Sequence, residues 1–182
     1  DQFIEGNYKT AEPGIIFLST MSDYSPSNYV GKPIICTNPC AEVPLEDGGA
    51  CNLGSINLSR FVKDGFTPEA SIDWDQLAES SETLVRFLDN VVTWNEDLNA
   101  LPKQRQAASE TRRLGLGVMG IADMLNQLGV AYDSEQGTMM IEKVMEYITN
   151  ASYQASSFIA KEKGASSIFD EEAYMECPFV KE

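Results

Sequence analysis

The sequence predicts an α/β fold with parallel strands. Two observations carry this: short apolar runs bounded by proline and glycine alternate with long segments of helical periodicity, and the helical segments carry their own start and stop signals. The first run, residues 14–19, follows Pro13 and Gly14 and reads as a buried strand. Residues 21–32, rich in serine, proline and asparagine, read as a loop. Residues 38–42 read as extended, because Pro39 biases Asn38 towards β geometry and removes an amide that a helix would use. Asp47-Gly48-Gly49 predicts a turn, and residues 55–61 a further strand.

The first long helix starts at Asp73, an N-cap with Gln76 three residues on in a reciprocal capping box, and Ile72 is placed to staple onto Leu77. It is predicted to run to about Leu98, with Leu77, Leu84, Leu88, Val91 and Val92 on one stripe and Glu79, Glu82 and Asp89 on a solvated face. A shorter helix follows Gly120 and stops at Gly129; a third runs from near Ser134 to near Gly164 with Met140, Val144, Ile148 and Ala155 inward. Gly115-Leu116-Gly117-Val118-Met119-Gly120 satisfies G-x-G-x-x-G, but the residues before it are polar and no second strand with a terminal acid follows. A dinucleotide site is therefore set aside in favour of close backbone approach beside the helix that starts near Gly120.

The chemistry concentrates in Asn38-Pro39-Cys40-Ala41-Glu42 and in Cys51, eleven residues beyond Cys40. On an extended chain, side chains alternate, so Asn38, Cys40 and Glu42 are expected on one side. An amide, a thiol and a carboxylate would then share a surface. The chain has no histidine and no Cys-x-x-Cys pair, which argues against a structural zinc site and removes Ser-His and Cys-His nucleophiles. Acid-base work falls to carboxylates, with Glu42 the best placed. Cys36 and Cys177 read as core filler, since unpaired cysteine usually behaves as a small hydrophobe.

Residues Thr37-Asn38-Pro39-Cys40-Ala41-Glu42 with Gly49-Ala50-Cys51-Asn52-Leu53-Gly54-Ser55-Ile56-Asn57-Leu58 resemble the catalytic finger loop of ribonucleotide reductase large chains. Glu12-Pro13-Gly14-Ile15-Ile16-Phe17 and Arg112-Arg113-Leu114-Gly115-Leu116-Gly117-Val118-Met119-Gly120-Ile121-Ala122-Asp123 extend the resemblance in the same order. The resemblance implies a partial ten-stranded α/β barrel with a finger loop and long flanking helices, and residues 1–182 as a single partial domain from its centre. It implies Cys40 as the thiyl radical site, Glu42 as general base on the 3′ hydroxyl, Asn38 orienting the ribose hydroxyls, and Cys51 as one of two redox cysteines. The cysteine spacing resembles the adenosylcobalamin-dependent branch, so adenosylcobalamin is the implied cofactor and a radical-generating partner subunit the alternative. The implied partners are a ribonucleoside di- or triphosphate, a dithiol reductant such as thioredoxin, and the remaining segments of the reductase.

Composition bounds the reading. At 182 residues and 43% hydrophobic, the chain is long enough to bury about 70% of its unfolded surface as one domain. A formal net charge of −15 argues against nucleic acid and anionic membrane surfaces, and makes phosphate recognition a local matter. Arg112 and Arg113 read as structural rather than as phosphate ligands. No apolar run spans a bilayer, no signal-peptide pattern opens the chain, and four cysteines suit a reducing compartment, so a cytoplasmic protein is expected. The partner of Cys51, a phosphate loop and a carboxy-terminal cysteine pair are not in the sequence, and it does not open on methionine. The expectation is the middle of a reductase, active when flanking segments complete the barrel; the alternative is an inactive interaction module.

Overall fold

The computed structural model describes residues 1–181. The chain divides into two compact units, Asp1–Gly49 with the tail from Ile168, and Ala50–Ser167.

The second unit carries the parallel strands. Strand β3 (Asn52–Asn57) pairs in parallel with β6 (Leu114–Met119), Asn52 opposite Leu114 and Asn57 opposite Met119. Parallel neighbours need a crossover, and α4 (Trp74–Leu98) and α5 (Pro102–Thr111) supply it. After β3 the chain tightens into a 3-10 turn at Leu58–Phe61, so the strand predicted at 55–61 begins and ends earlier. Asn57 causes this, because its side-chain oxygen accepts from the Ser59 amide at 3.3 Å and hydroxyl at 2.8 Å and closes the turn. A short antiparallel ladder follows, β4 (Val62–Lys63) with β5 (Ser71–Ile72).

Helix α4 occupies the predicted span. Asp73 accepts from the Gln76 amide at 3.2 Å, but its own amide donates to the Phe61 carbonyl at 2.8 Å, so the ladder supplies the half of the box that Gln76 was expected to fill. Helix α6 (Ile121–Gln127) starts at Gly120 with φ of 74°, and Gly129, with φ of 71°, follows its end. Helix α7 (Glu135–Lys163) is capped by Ser134, whose hydroxyl accepts from Gly137, and stops at Gly164. The core joins Ile56, Leu58 and Phe61 to Leu77 of α4, Met124 and Leu125 of α6, and Val144 and Ile148 of α7. Trp74 meets Tyr147, Arg86 bonds Glu162 at 2.8 and 3.2 Å, and Asp89 meets Lys163; the partners advance together, so α4 and α7 run parallel.

The first unit is built from short pieces: α1 (Gln2–Thr10), α2 (Leu18–Asp23), α3 (Pro26–Tyr29), an antiparallel ladder of β1 (Cys36–Thr37) with β2 (Pro44–Leu45), and in the tail α8 (Glu171–Tyr174) and α9 (Pro178–Lys181). Two expectations fail here. Residues 14–19 form no strand: Ile15 and Phe17 are 58% and 70% exposed, and Leu18 already opens a helix. An apolar run becomes a buried strand only beside a strand to pair with, and none lies along this one among the described residues. The loop at 21–32 contains the end of α2 and all of α3, whose start Pro26 suits at a first-turn position. The Asp47-Gly48-Gly49 turn is present, closed by Gly49 to the Glu46 carbonyl at 2.9 Å.

Candidate active site

In the first unit the candidate residues lie at the tip of the β1–β2 hairpin. The segment is not extended through Glu42: the strand ends at Thr37, and the Ala41 amide donates to the Asn38 carbonyl at 3.0 Å, making residues 38–41 a tight turn. Pro39 takes the second turn position, where its fixed φ fits, and Ala41 takes φ of 65°. The same proline is compatible with extension and with a turn, and the pairing of Cys36 with Leu45 decides for the turn. Strand parity therefore does not place Asn38, Cys40 and Glu42 on one side; all three lie on a five-residue tip.

Asn38 builds that tip. Its amide donates to the Val43 carbonyl at 3.2 Å, and its side-chain Oδ1 accepts from the Val43 amide at 3.1 Å. Val43 is buried, while Cys40 and Glu42 are both exposed at the tip. A backbone-bonded amide thus presents an accessible thiol and a carboxylate two residues from it. Cys36 is exposed rather than core, with its thiol on the Leu45 carbonyl at 3.7 Å; a two-residue ladder leaves it nothing to be buried against. Cys177 is fully buried, as a core filler should be.

In the other unit, taken by itself, Cys51 immediately precedes β3. Its thiol donates to the Asn52 carbonyl at 3.4 Å, and Asn52 Nδ2 donates to the Leu88 carbonyl of α4 at 2.7 Å. The glycine motif forms β6 itself. Gly115 lies against this corner, and a Cβ there would stand 2.8 Å from Cys51 Sγ; one on Gly120 would collide with Asn57 Oδ1. Close backbone approach is the role Gly115 and Gly120 serve, along and just after a strand that polar flanking residues concealed.

Sequence reasoning missed the ionic centre of this unit. Asp89 was assigned to a solvated face but is 6% exposed. Arg112 donates to its Oδ1 through Nε and Nη2 at 2.9 and 2.7 Å, and Lys163 to its Oδ2 at 2.6 Å. Arg112 also reaches Glu96 and Thr93, while sitting at φ of 46° where α5 ends and the chain turns towards β6. Burial alone would raise the Asp89 pKa; the hydrogen bonds from Lys163 and Arg112 and their charges outweigh it and hold the carboxyl below the usual range. The signal was available: Val85, Leu88, Asp89 and Val92 follow helical spacing, so the acid sits inside the apolar stripe. Arg112 is structural, as expected.

Comparison with known proteins adds an independent line. A family model described as ribonucleotide reductase, barrel domain, matches residues 1–180. A vitamin B12-dependent ribonucleoside-diphosphate reductase of Thermoplasma acidophilum is 44% identical over 166 residues, 90% of this chain and 20% of that protein. A protein of the same description from Mycobacterium tuberculosis is 39% identical over 174 residues, 96% of this chain and 24% of its own length. The chain thus spans about a fifth to a quarter of these curated relatives. The class Id ribonucleotide reductase alpha subunit of Actinobacillus ureae superposes with a TM-score of 0.74 at 24% identity, over 92% of this chain and 32% of that one, and shows the fold alone.

Proposed function

The chain belongs to the ribonucleotide reductase barrel-domain family, and from that premise we propose that it forms part of a ten-stranded catalytic barrel that reduces ribonucleotides. Both compact units belong to that one domain; support comes from a family match that runs across them. The observation that carries the reading is the hairpin tip, which presents an exposed thiol between a backbone-anchored amide and an exposed carboxylate.

In this reading Cys40, as a thiyl radical, takes the 3′ hydrogen of the ribose, and Glu42 takes the proton of the 3′ hydroxyl. Asn38 orients the sugar: its Oδ1 is committed to Val43, so Nδ2 is the atom left to donate to a ribose oxygen. Cys51 and a second thiol outside this chain then give two electrons and two protons, the 2′ hydroxyl leaves as water, a hydrogen replaces it, and the two sulfurs join as a disulfide; Cys40 returns its hydrogen to the 3′ carbon and Glu42 its proton to the 3′ oxygen, which restores the thiyl radical. A dithiol such as thioredoxin reopens that disulfide by exchange.

Adenosylcobalamin, when bound, supplies the unpaired electron that Cys40 needs; a radical-generating partner subunit is the alternative source. An exposed thiol on a hairpin tip fits a group that must be met from outside the chain, and the residues that would hold that group are assigned to other segments. The substrate is a ribonucleoside di- or triphosphate, whose phosphates also bind outside this strongly acidic chain. The test is dithiol-dependent reduction of a ribonucleotide with adenosylcobalamin, with and without the flanking barrel segments supplied in trans. Turnover on complementation supports the reading. Absence of turnover in both cases leaves a non-catalytic association module, which the exposed Ile15, Ile16 and Phe17 favour as the second reading.

A further inference from the structure

The space beside Cys51 is occupied in an unusual way. Gly115 stands opposite Leu53 in the parallel ladder, and its side-chain position is already filled. A Cβ there would lie 2.8 Å from Cys51 Sγ and 2.9 Å from the Asn52 carbonyl oxygen, and would collide with Leu53 Cδ2. The sulfur and that oxygen are also bonded to one another at 3.4 Å. The thiol therefore rests in the notch left by the missing side chain. On the far side, the bond from Asn52 to the Leu88 carbonyl at 2.7 Å ties the residue after the thiol to α4, so this corner cannot back away.

Gly117 provides an internal contrast. It lies two residues along the same strand, yet a Cβ there would meet only Ser55 Oγ at 3.5 Å and the Gly54 carbonyl at 3.9 Å, ordinary contacts. The tightness of β6 is local to the corner formed by Cys51, Asn52 and Leu53 and not a general property of a glycine-rich strand. We propose that Gly115 is a positioning residue for Cys51: its lack of a side chain forms the seat that holds the thiol at the start of β3. This rests on the reading of Cys51 as a redox thiol for its functional meaning, but the seat itself is a structural statement.

The two are tested separately. In the chain itself, alkylation of each cysteine by iodoacetamide is followed by peptide mass spectrometry. Gly115→Ala is expected to raise the Cys51 rate at least tenfold by driving the sulfur out of its notch, with Gly117→Ala within twofold of the parent and Cys40 unchanged in both. A Cys51 rate within twofold in a folded Gly115→Ala chain overturns the proposal. Leu53→Ala/Gly115→Ala removes the collision with leucine and keeps that with sulfur, and is read in the same way if the single variant loses its native far-UV spectrum. If neither folds, Cys51→Ala/Leu53→Ala/Gly115→Ala decides, since it removes both side-chain collisions: recovery of the native spectrum identifies the sulfur as the remaining obstacle, and failure to recover overturns the proposal. In the reassembled reductase, Gly115→Ala is expected to lower kcat at least tenfold with KM for the nucleotide unchanged. Full turnover by Cys51→Ser would sink the redox role and leave the alkylation result standing; loss of turnover in Cys51→Ser with full turnover in Gly115→Ala would sink the positioning role alone.

Discussion

In the proposed reading Asn38 does two jobs with two ends of one amide. Its oxygen closes the hairpin onto Val43, and its nitrogen faces the task assigned to it on the ribose. The jobs separate by substitution. Asn38→Asp keeps the acceptor and should leave the Val43 amide protected from hydrogen exchange, whereas Asn38→Ala should raise its exchange rate several-fold; equal exchange in both would mean that the side chain does not hold the tip. Both are expected to impair turnover, because neither donates. Cys40 is exposed, so Cys40→Ala should change stability by no more than about 0.5 kcal/mol, as surface substitutions do, read by thermal melting. These residue types and their order were legible in the sequence. The turn that gathers them was not, because Pro39 suits either backbone and only the pairing of β1 with β2 chooses.

Helices were legible where they carry their own punctuation. Asp73 for α4, Gly120 and Gly129 for α6, and Ser134 and Gly164 for α7 set local boundaries that tertiary structure merely uses. The run at 14–19 has no such autonomy, since a strand is defined by its neighbours. Helix α5 was missed because Pro102 starts a polar segment in which only Ala107 and Ala108 are buried. Asp89, clamped by Arg112 and Lys163, joins α4, the turn before β6 and the end of α7. Its carboxyl titrates below its unfolded value, so the clamp stabilises the fold fully above that unfolded value, near pH 4, and is lost as pH falls through the lower folded one. Asp89→Asn should therefore cost about 2–3 kcal/mol at neutral pH, less than a fully buried pair because Arg112 and Lys163 reach solvent, and should flatten the acid limb of the stability profile. Denaturant melts of both proteins from pH 7 to pH 2 check this; parallel profiles would contradict it. Gly120→Ala is expected to cost roughly 1–2 kcal/mol from its left-handed φ, with more from the collision at Asn57.

Among the described residues β3 and β6 pair only with each other, so each keeps one unpaired edge, and Leu53 and Met119 on them are exposed. Unpaired edges are templates for association. The 182-residue chain alone should self-associate in sedimentation experiments, and the flanking barrel segments should suppress this; a monodisperse monomer with a cooperative melt would count against it. No described helix is long and apolar enough to cross a membrane. The proposed chemistry starts at one exposed thiol on a hairpin tip. The most direct measurement is ribonucleotide reduction by the reassembled enzyme with adenosylcobalamin and a dithiol, comparing the parent chain with Cys40→Ala. Turnover is expected in the first and none in the second, with equal melting temperatures; full turnover by Cys40→Ala would sink the radical assignment.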